Sequence, residues 1–354
     1  LALFARRREL VPGMQSEFAL CFDGRLRREL ESTGAPVVDL GAVRLRAAWS
    51  VVRARRTLRR LLAEKKYDVV VCHSLWCQAV FGGVPRTLGV PEVLYLHDRV
   101  HQRQWRERWA ARHPPDWSLV NSEFTRSGLA GLFSAERASV VYYPVEPLRA
   151  ALTREERLAI RAELGFRDDT VVIIQASSMQ PSKGHELLLR ALARLPAPTS
   201  WFCLAIGDVQ RRAERAYRVR LEDEARALGV TARVRFLGQR DDLAALLGAA
   251  DIYCQPNAEP EPFGVGFVHA LQAGLPVVTF DSGGPREIVT DAVGLLVADQ
   301  TGLVAALAGL VRDAELRERL GARGPARARE LCEPAARLSE LASVLERVVN
   351  SPGI

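Results

Sequence analysis

Apolar positions in this chain come in short bursts of strand length, separated by amphipathic or charged stretches. In the first 146 residues the bursts are EFALCF (17–22), APVVDL (35–40), YDVVVCH (67–73), EVLYLHD (92–98) and WSLVNS (117–122). Val/Leu-rich runs of this length, set between segments of helical spacing, predict strands alternating with helices around a parallel sheet. VVYYPVEP (140–147) brings two prolines into an extended run and predicts a hinge. The alternation then restarts with TVVIIQAS (170–177), WFCLAIGD (201–208), RVRFLGQ (233–239), ADIYCQP (250–256), LPVVTFD (275–281) and VGLLVAD (293–299). Helices are expected over 183–195, 210–228 and 299–311. A last one is expected over 326–349, where Leu331, Leu338, Leu341, Val344 and Val348 recur at helical spacing before Ser-Pro-Gly.

This pattern predicts an α/β chain of two Rossmann-like doubly wound domains facing across a cleft, with a ligand bound there. The expected limits are 1–146 for the first domain, 147–330 for the second, and 331–354 for a terminal helix that covers the second domain or crosses back to the first.

Length and composition agree: 354 residues suffice for two cores, and 48% hydrophobic with 26% charged residues is the balance of a globular protein. No uninterrupted apolar run reaches the roughly 18 residues that a membrane-spanning helix needs. In LALFARRREL the apolar residues precede the arginines, the reverse of a signal peptide, and the chain opens on Leu1 inside a helical pattern. The true N-terminus is therefore expected to lie upstream. Six cysteines lack a CxxC spacing, so neither a zinc nor a redox site is indicated, and free thiols in a reducing cytoplasm are expected.

Charge alters the picture for partners. Residues 1–146 carry 23 Lys/Arg against 15 Asp/Glu, a balance of +8, while the remainder carries 26 against 27, or −1. The helix expected over 44–66 sets Arg53, Arg56 and Arg60 on one face and Val51, Leu58, Leu61 and Leu62 on another. Either this is a solvated face or it gives the first domain peripheral contact with an anionic membrane. No nucleic-acid-binding motif accompanies the charge.

Candidate chemistry gathers in the second half. In QASSMQPSKGHELLLRAL (175–192) a strand ends in a polar loop, and Lys183-Gly184 opens a helix. Free N–H groups and a cation there favour an anion, although a lysine so placed can also be merely solvated. In EPEPFGVGFVHALQAGLPVV (259–278), Pro262 holds Glu261 extended just outside a helix of about 264–273. Gly264 and Gly266 permit close backbone approach, and Gly274-Leu275-Pro276 ends the helix. DSGGPREIV (281–289) sets a second Gly-Gly turn before a short helix.

In order and spacing these segments, with GLLVAD, YDVVVCHSLW, EVLYLHD and SLVNSEFTRSGL, resemble the large family of retaining glycosyltransferases with the GT-B fold (family 4, group 1). The likeness runs from about residue 15 onward and is most specific over 250–290. The resemblance implies transfer of a hexosyl group from a UDP- or GDP-sugar to a saccharide, lipid-linked or small-molecule acceptor, with retention and without a metal or other cofactor. Such work belongs to cell-envelope polysaccharide synthesis at the cytoplasmic face of a membrane. It implies that Lys183 holds the diphosphate, that Glu261 binds hydroxyls of the transferred sugar, and that His97 lies near the reacting sugar. The amides of Phe263, Gly264 and Val265, together with Gly184, would help to bind the donor.

Three departures accompany the match. Ser177 and Ser178 stand where the family carries a second diphosphate ligand, an arginine, and Arg286 is the nearest replacement in sequence. A hydroxyl supplies one hydrogen bond without charge. His269 stands where the family has a ribose-binding glutamate, offering one acceptor instead of two oxygens. The family's first strand and glycine-rich loop are expected upstream of LALFARRREL, so the sequence in hand is expected to lack part of the site and an inner strand of its first sheet. The first two leave a second reading, a catalytically weak GT-B relative that binds a nucleotide sugar or serves as a scaffold. An epimerase on the same fold fits the Lys183–Glu261 spacing less well.

Overall fold

The computed structural model describes residues 1–100, 104–148, 152–167, 169–197, 199–207 and 212–351. It divides into two compact units, one formed by Leu1–Glu146 together with Cys332–Ile354, the other by Pro147–Leu331.

The first unit holds β1 (Phe18–Leu20) and β2 (Val37–Asp39), which pair with each other in parallel, and a separate parallel sheet. That sheet runs β3 (Val70–His73), β4 (Glu92–Leu96), β5 (Trp117–Val120), β6 (Ala138–Val140), in that order. The single sheet expected for this half is thus two sheets among the described residues. Helix Ala48–Glu64 covers one side, burying Val51, Ala54, Leu58 and Leu62 at positions i, i+3, i+7 and i+11, one stripe of a 3.6-residue period. Helix Pro334–Asn350 sends Val344, Leu345 and Val348 into a core with Val93, Tyr95, Leu119 and Val141.

The second unit has six parallel strands: β7 (Val171–Ala176), β8 (Trp201–Ile206), β9 (Val234–Gly238), β10 (Ile252–Cys254), β11 (Val277–Phe280) and β12 (Gly294–Val297). Their order in the sheet is β12-β11-β10-β7-β8-β9. Counted within the unit this is 6-5-4-1-2-3, the dinucleotide-binding order read from its far edge, and the direction of winding reverses between β7 and β10. Covered on both faces, β7 reads as a continuous apolar run, Val171 to Ile174 all buried, rather than an alternating one.

Two expectations of element limits are revised, and one helix was not foreseen. Lys183 closes a short 3-10 turn (Pro181–Lys183), and the helix proper is His185–Leu192, because Gly184 sits at φ +71° between them. The terminal helix expected over 326–349 is two helices, Ala314–Cys332 and Pro334–Asn350. Pro334 cannot continue a helix but suits the first position of a new one, and Glu333 caps it by accepting from the Ala336 N–H. A helix at Arg154–Glu163 has no counterpart in the expectations. Its sign was a capping box in which the Thr153 hydroxyl accepts from the Glu156 N–H while the Glu156 side chain accepts from the Thr153 N–H.

Candidate active site

In open parallel sheets the loops leaving the strands diverge where the winding reverses, and the crevice that opens there receives ligands. Here β7 and β10 lie side by side with Ile173 paired to Ile252, and their outgoing loops carry Lys183 and Glu261. The loops are joined backbone to backbone, the Ala258 N–H donating to the Ser182 carbonyl at 2.9 Å, while the Gln175 side-chain amide on β7 holds its own loop by donating to the Lys183 carbonyl at 2.8 Å. A Cβ at Gly184 would stand 1.7 Å from the Pro256 carbonyl oxygen, so only glycine admits this approach.

Lys183 and Glu261, 78 residues apart, meet as an ion pair with Nζ 2.5 Å from Oε2. Both side chains remain partly open to solvent, at 21% and 15% exposure. Two eight-residue helices, His185–Leu192 and Val265–Gln272, begin beside them. Each starts on a glycine in a left-handed conformation and lacks a side-chain cap, so among the described residues no capping side chain accepts from their first N–H groups. The second helix lies close over the strand ends, since a Cβ at Gly266 would be 2.5 Å from the Tyr253 hydroxyl and 3.1 Å from the Ala176 carbonyl. The Gly283-Gly284 turn packs as tightly on the acid's own backbone. The Gly284 N–H donates to the Glu261 carbonyl at 2.8 Å, and a Cβ at Gly283 would be 2.5 Å from that same oxygen.

Beneath these loops lies a buried polar chain that sequence reasoning missed. The Tyr253 hydroxyl bonds the Ala176 carbonyl (3.1 Å) and the Gln255 side-chain oxygen (2.7 Å), the Gln255 amide donates to Asn257 (2.9 Å), and Thr279 donates to the Gln255 carbonyl (2.8 Å). Gln175 Oε1 and Asn257 Nδ2 are buried with no partner among the described residues. The only signal in sequence was polar residues inside the strand-like runs IIQAS and IYCQPN. His185, also missed, is buried against Tyr217, with Nε2 3.4 Å from the Ser177 hydroxyl, and burial pushes its pKa down to about 4.

The remaining second-unit residues scatter in their engagement. Phe263 turns its side chain into the core, while Val265 is exposed at the helix start. Ser178 is half-buried in the loop after β7. His269, half-buried on the second helix, has its pKa lowered by burial, and its ring makes no hydrogen bond among the described residues. Arg286 forms a two-pronged pair with Asp281, at 2.6 and 3.0 Å, on an exposed surface.

His97 belongs to the first unit, one residue past β4. Its Nδ1 is 2.7 Å from the Tyr143 hydroxyl, and its Nε2 is 3.1 Å from Nδ1 of His73. Burial pushes the pKa of His97 down to about 4 and that of His73 to about 3, so both rings are neutral at neutral pH. Among the described residues no group of three or more His, Cys, Asp or Glu side chains is placed to hold a metal ion. All six cysteines are free, and no described helix is long and apolar enough to cross a membrane.

Family models place this framework. Residues 15–149 match Glycosyltransferase Family 4, and residues 156–327 match Glycosyl transferases group 1. Among curated proteins, the lipopolysaccharide core biosynthesis glycosyltransferase LpsE of Rhizobium meliloti is 34% identical over 46% of this chain and 46% of its own. The GDP-mannose-dependent monoacylated alpha-(1-6)-phosphatidylinositol monomannoside mannosyltransferase of Corynebacterium glutamicum is 33% identical over 49% of this chain and 46% of its own. The matched segment thus spans about half the length of these relatives. Among solved structures, Anabaena HepE in complex with UDP and glucose superposes with a TM-score of 0.83 at 22% identity, covering 98% of this chain and 95% of that one. WaaG, involved in lipopolysaccharide biosynthesis, gives 0.74 at 18% identity over 96% and 94%. With two parallel α/β units, each matched by its own family model, the chain belongs to the group 1 and family 4 glycosyltransferases and has the GT-B fold.

Proposed function

We propose that the chain transfers a hexosyl group from a nucleotide diphosphate sugar, UDP- or GDP-linked, to a saccharide, lipid-linked or small-molecule acceptor, with retention at the anomeric carbon and without a metal. The observation that carries this reading is the meeting of Lys183 and Glu261 at the reversal of winding, between two helix N-termini without side-chain caps. Such a site suits a ligand that is anionic at one end and rich in hydroxyls at the other. Lys183, Gly184 and the amides of Phe263, Gly264 and Val265 would take the diphosphate, and Glu261 would accept hydrogen bonds from the sugar. Retention would have the acceptor hydroxyl attack on the face that the diphosphate leaves, its proton passing to the departing phosphate oxygen. The protein's part is then positioning and stabilising leaving-group charge. His269 is the candidate for the ribose hydroxyls, and Ser178 supplies a hydroxyl where the family has a guanidinium.

HepE, crystallised with UDP and with UDP-glucose, and relatives named for lipopolysaccharide and phosphatidylinositol mannoside synthesis support a nucleotide-sugar donor and a cell-envelope glycan acceptor. Helix Ala48–Glu64 supports work at the cytoplasmic surface of a membrane. Trp49 is 68% exposed and Val52 45%, and they share a face with exposed Arg53, Arg56 and Arg60. The test is to titrate the chain with UDP- and GDP-hexoses and follow binding and nucleotide release. Binding to none of them would sink the reading; binding without turnover, reversed by restoring arginine at 178 and glutamate at 269, would mark a weakened relative.

A further inference from the structure

One polar side chain interrupts the apolar face of β7. Val171 and Ile173 belong to the second unit's core, and Gln175, the next residue on that face, is itself 0% exposed. Its amide donates to the Lys183 carbonyl at 2.8 Å and to the Ser177 hydroxyl at 3.2 Å. A carbonyl only accepts, so the atom of Gln175 that faces Lys183 is the nitrogen. The amide oxygen is left buried with no partner among the described residues. An unpaired buried acceptor destabilises a fold, and leucine or methionine would fill the place without one. Stability therefore gives no reason for an amide at this position; its bond to the lysine loop does.

The main chain around Lys183 shows what that bond achieves. Two peptide groups flank the Lys183 Cα. The one before it is anchored from the loop after β10, where the Ala258 N–H donates to the Ser182 carbonyl at 2.9 Å. The one after it is anchored from β7 by Gln175. The helix that follows takes no share in this, because its ladder begins one residue later, with the Leu188 N–H on the Gly184 carbonyl. With both peptides pinned, Lys183 keeps only its side-chain rotations, and its ammonium stands 2.5 Å from Glu261 Oε2. We infer that Gln175 is a positioning residue, which fixes the backbone from which Lys183 presents its charge to the leaving diphosphate. The diphosphate rests on the glycosyl-transfer reading; the anchoring rests on the hydrogen bonds alone.

The sequence supplies the probe. The chain has three lysines, Lys65, Lys66 and Lys183, so a full-length sample isotope-labelled at lysine shows three ammonium groups. Lys183→Arg assigns the third, and Glu261→Gln shows where its signal lies once the ion pair is broken. Gln175→Met keeps the length of the side chain without its amide. In it the Lys183 signal is expected to move toward its position in Glu261→Gln, with Lys65 and Lys66 unmoved and the melting temperature no lower than the parent's. Gln175→Asn, whose amide stops one methylene short of the Lys183 carbonyl, should move the signal the same way. With a UDP- or GDP-hexose that turns over, both variants should lose about tenfold in kcat while the donor KM stays within about threefold, since a displaced charge is felt most in the transition state. A Lys183 signal unmoved in either folded variant would overturn the inference, as would one that moves only together with those of Lys65 and Lys66, the mark of a merely structural glutamine. An unchanged kcat beside a moved signal would overturn it too. Titration with UDP- and GDP-hexoses separates this result from the reading beneath it. A signal that moves in Gln175→Met, in a chain that binds none of them, removes the donor role and leaves the anchoring of Lys183 standing.

Discussion

At the scale of single residues, the Lys183–Glu261 pair decides most. Lys183 and Glu261 neutralise each other, so on the proposed reading a nucleotide sugar would have to displace one partner to engage the other. Glu261→Gln is expected to tighten UDP or GDP binding several-fold in calorimetry, because Lys183 no longer has a competing carboxylate, while turnover falls. Lys183→Ala should cost on the order of 10²–10³ in kcat, the usual loss when one stabilising donor is removed from a leaving group. A second acid carries a pH signature. Glu92 is fully buried at the start of β4, accepts from the Gly83 N–H at 2.8 Å, and is pushed up to about 7 by burial. Between its ordinary value and 7 the folded chain holds a proton that the unfolded chain releases, so this site loses stability as pH rises through that window. Glu92→Gln should therefore gain melting temperature over the parent at pH 8 and little at pH 4.5, a difference on the order of 3 kcal/mol. His73 and His97 have the opposite sign: their pKa values are lowered, and their contribution is lost as pH falls from about 6.5 through 4 and 3.

Elements turn those residues into a site through close backbone contact. Helix Val265–Gln272 can press its N-terminus onto the ends of β7 and β10 because Gly266 has no side chain. Gly266→Ala should lift that end, weaken nucleotide binding at least tenfold in a UDP titration, and lower the melting temperature, since the Tyr253 hydroxyl must also yield. Helix Ala48–Glu64 carries its prediction outward. Replacing Arg53, Arg56 and Arg60 by Gln should reduce affinity for phosphatidylglycerol vesicles in sedimentation by roughly 10²-fold, at about 1 kcal/mol per basic residue, and leave binding to phosphatidylcholine unchanged.

Much at this scale was legible in the chain. β7 and the helix at Val265–Gln272 announced themselves through apolar runs punctuated by glycine and proline, and the spacing of Lys183 and Glu261 could be read along with them. What the pattern could not carry was side-chain pairing at a distance. Arg286 could be read as a candidate for an anion, but its fork with Asp281, five residues away, could not. His97 drew attention by resemblance, whereas its contact with His73 appeared only when neighbouring strands set the two imidazoles 3.1 Å apart. The break at Pro334 was written plainly in the sequence, but a continuous helical period on both sides masked it.

At the scale of the whole chain, the path of the backbone matters more than any one contact. The chain leaves the first unit after Glu146, builds the second, and re-enters the first at Cys332, where the Val145 N–H donates to the Cys332 carbonyl at 2.9 Å. Helix Pro334–Asn350 then completes a core begun more than two hundred residues earlier in sequence. Removing residues 333–354 should expose Val93, Tyr95 and Leu119 and destabilise the first unit by several kcal/mol, since burying each of Val344, Leu345 and Val348 contributes about 1.5–3 kcal/mol. The second unit should keep its transition; scanning calorimetry with limited proteolysis distinguishes the two. The same route sets an order of events on the ribosome. Residues 147–331 form an uninterrupted stretch that can close its own core as it emerges, whereas the first unit, although translated earlier, must wait for the last helix. A chain arrested before Pro334 would thus carry a finished second unit and an unfinished first, and chaperones would engage the residues translated earlier rather than those translated later.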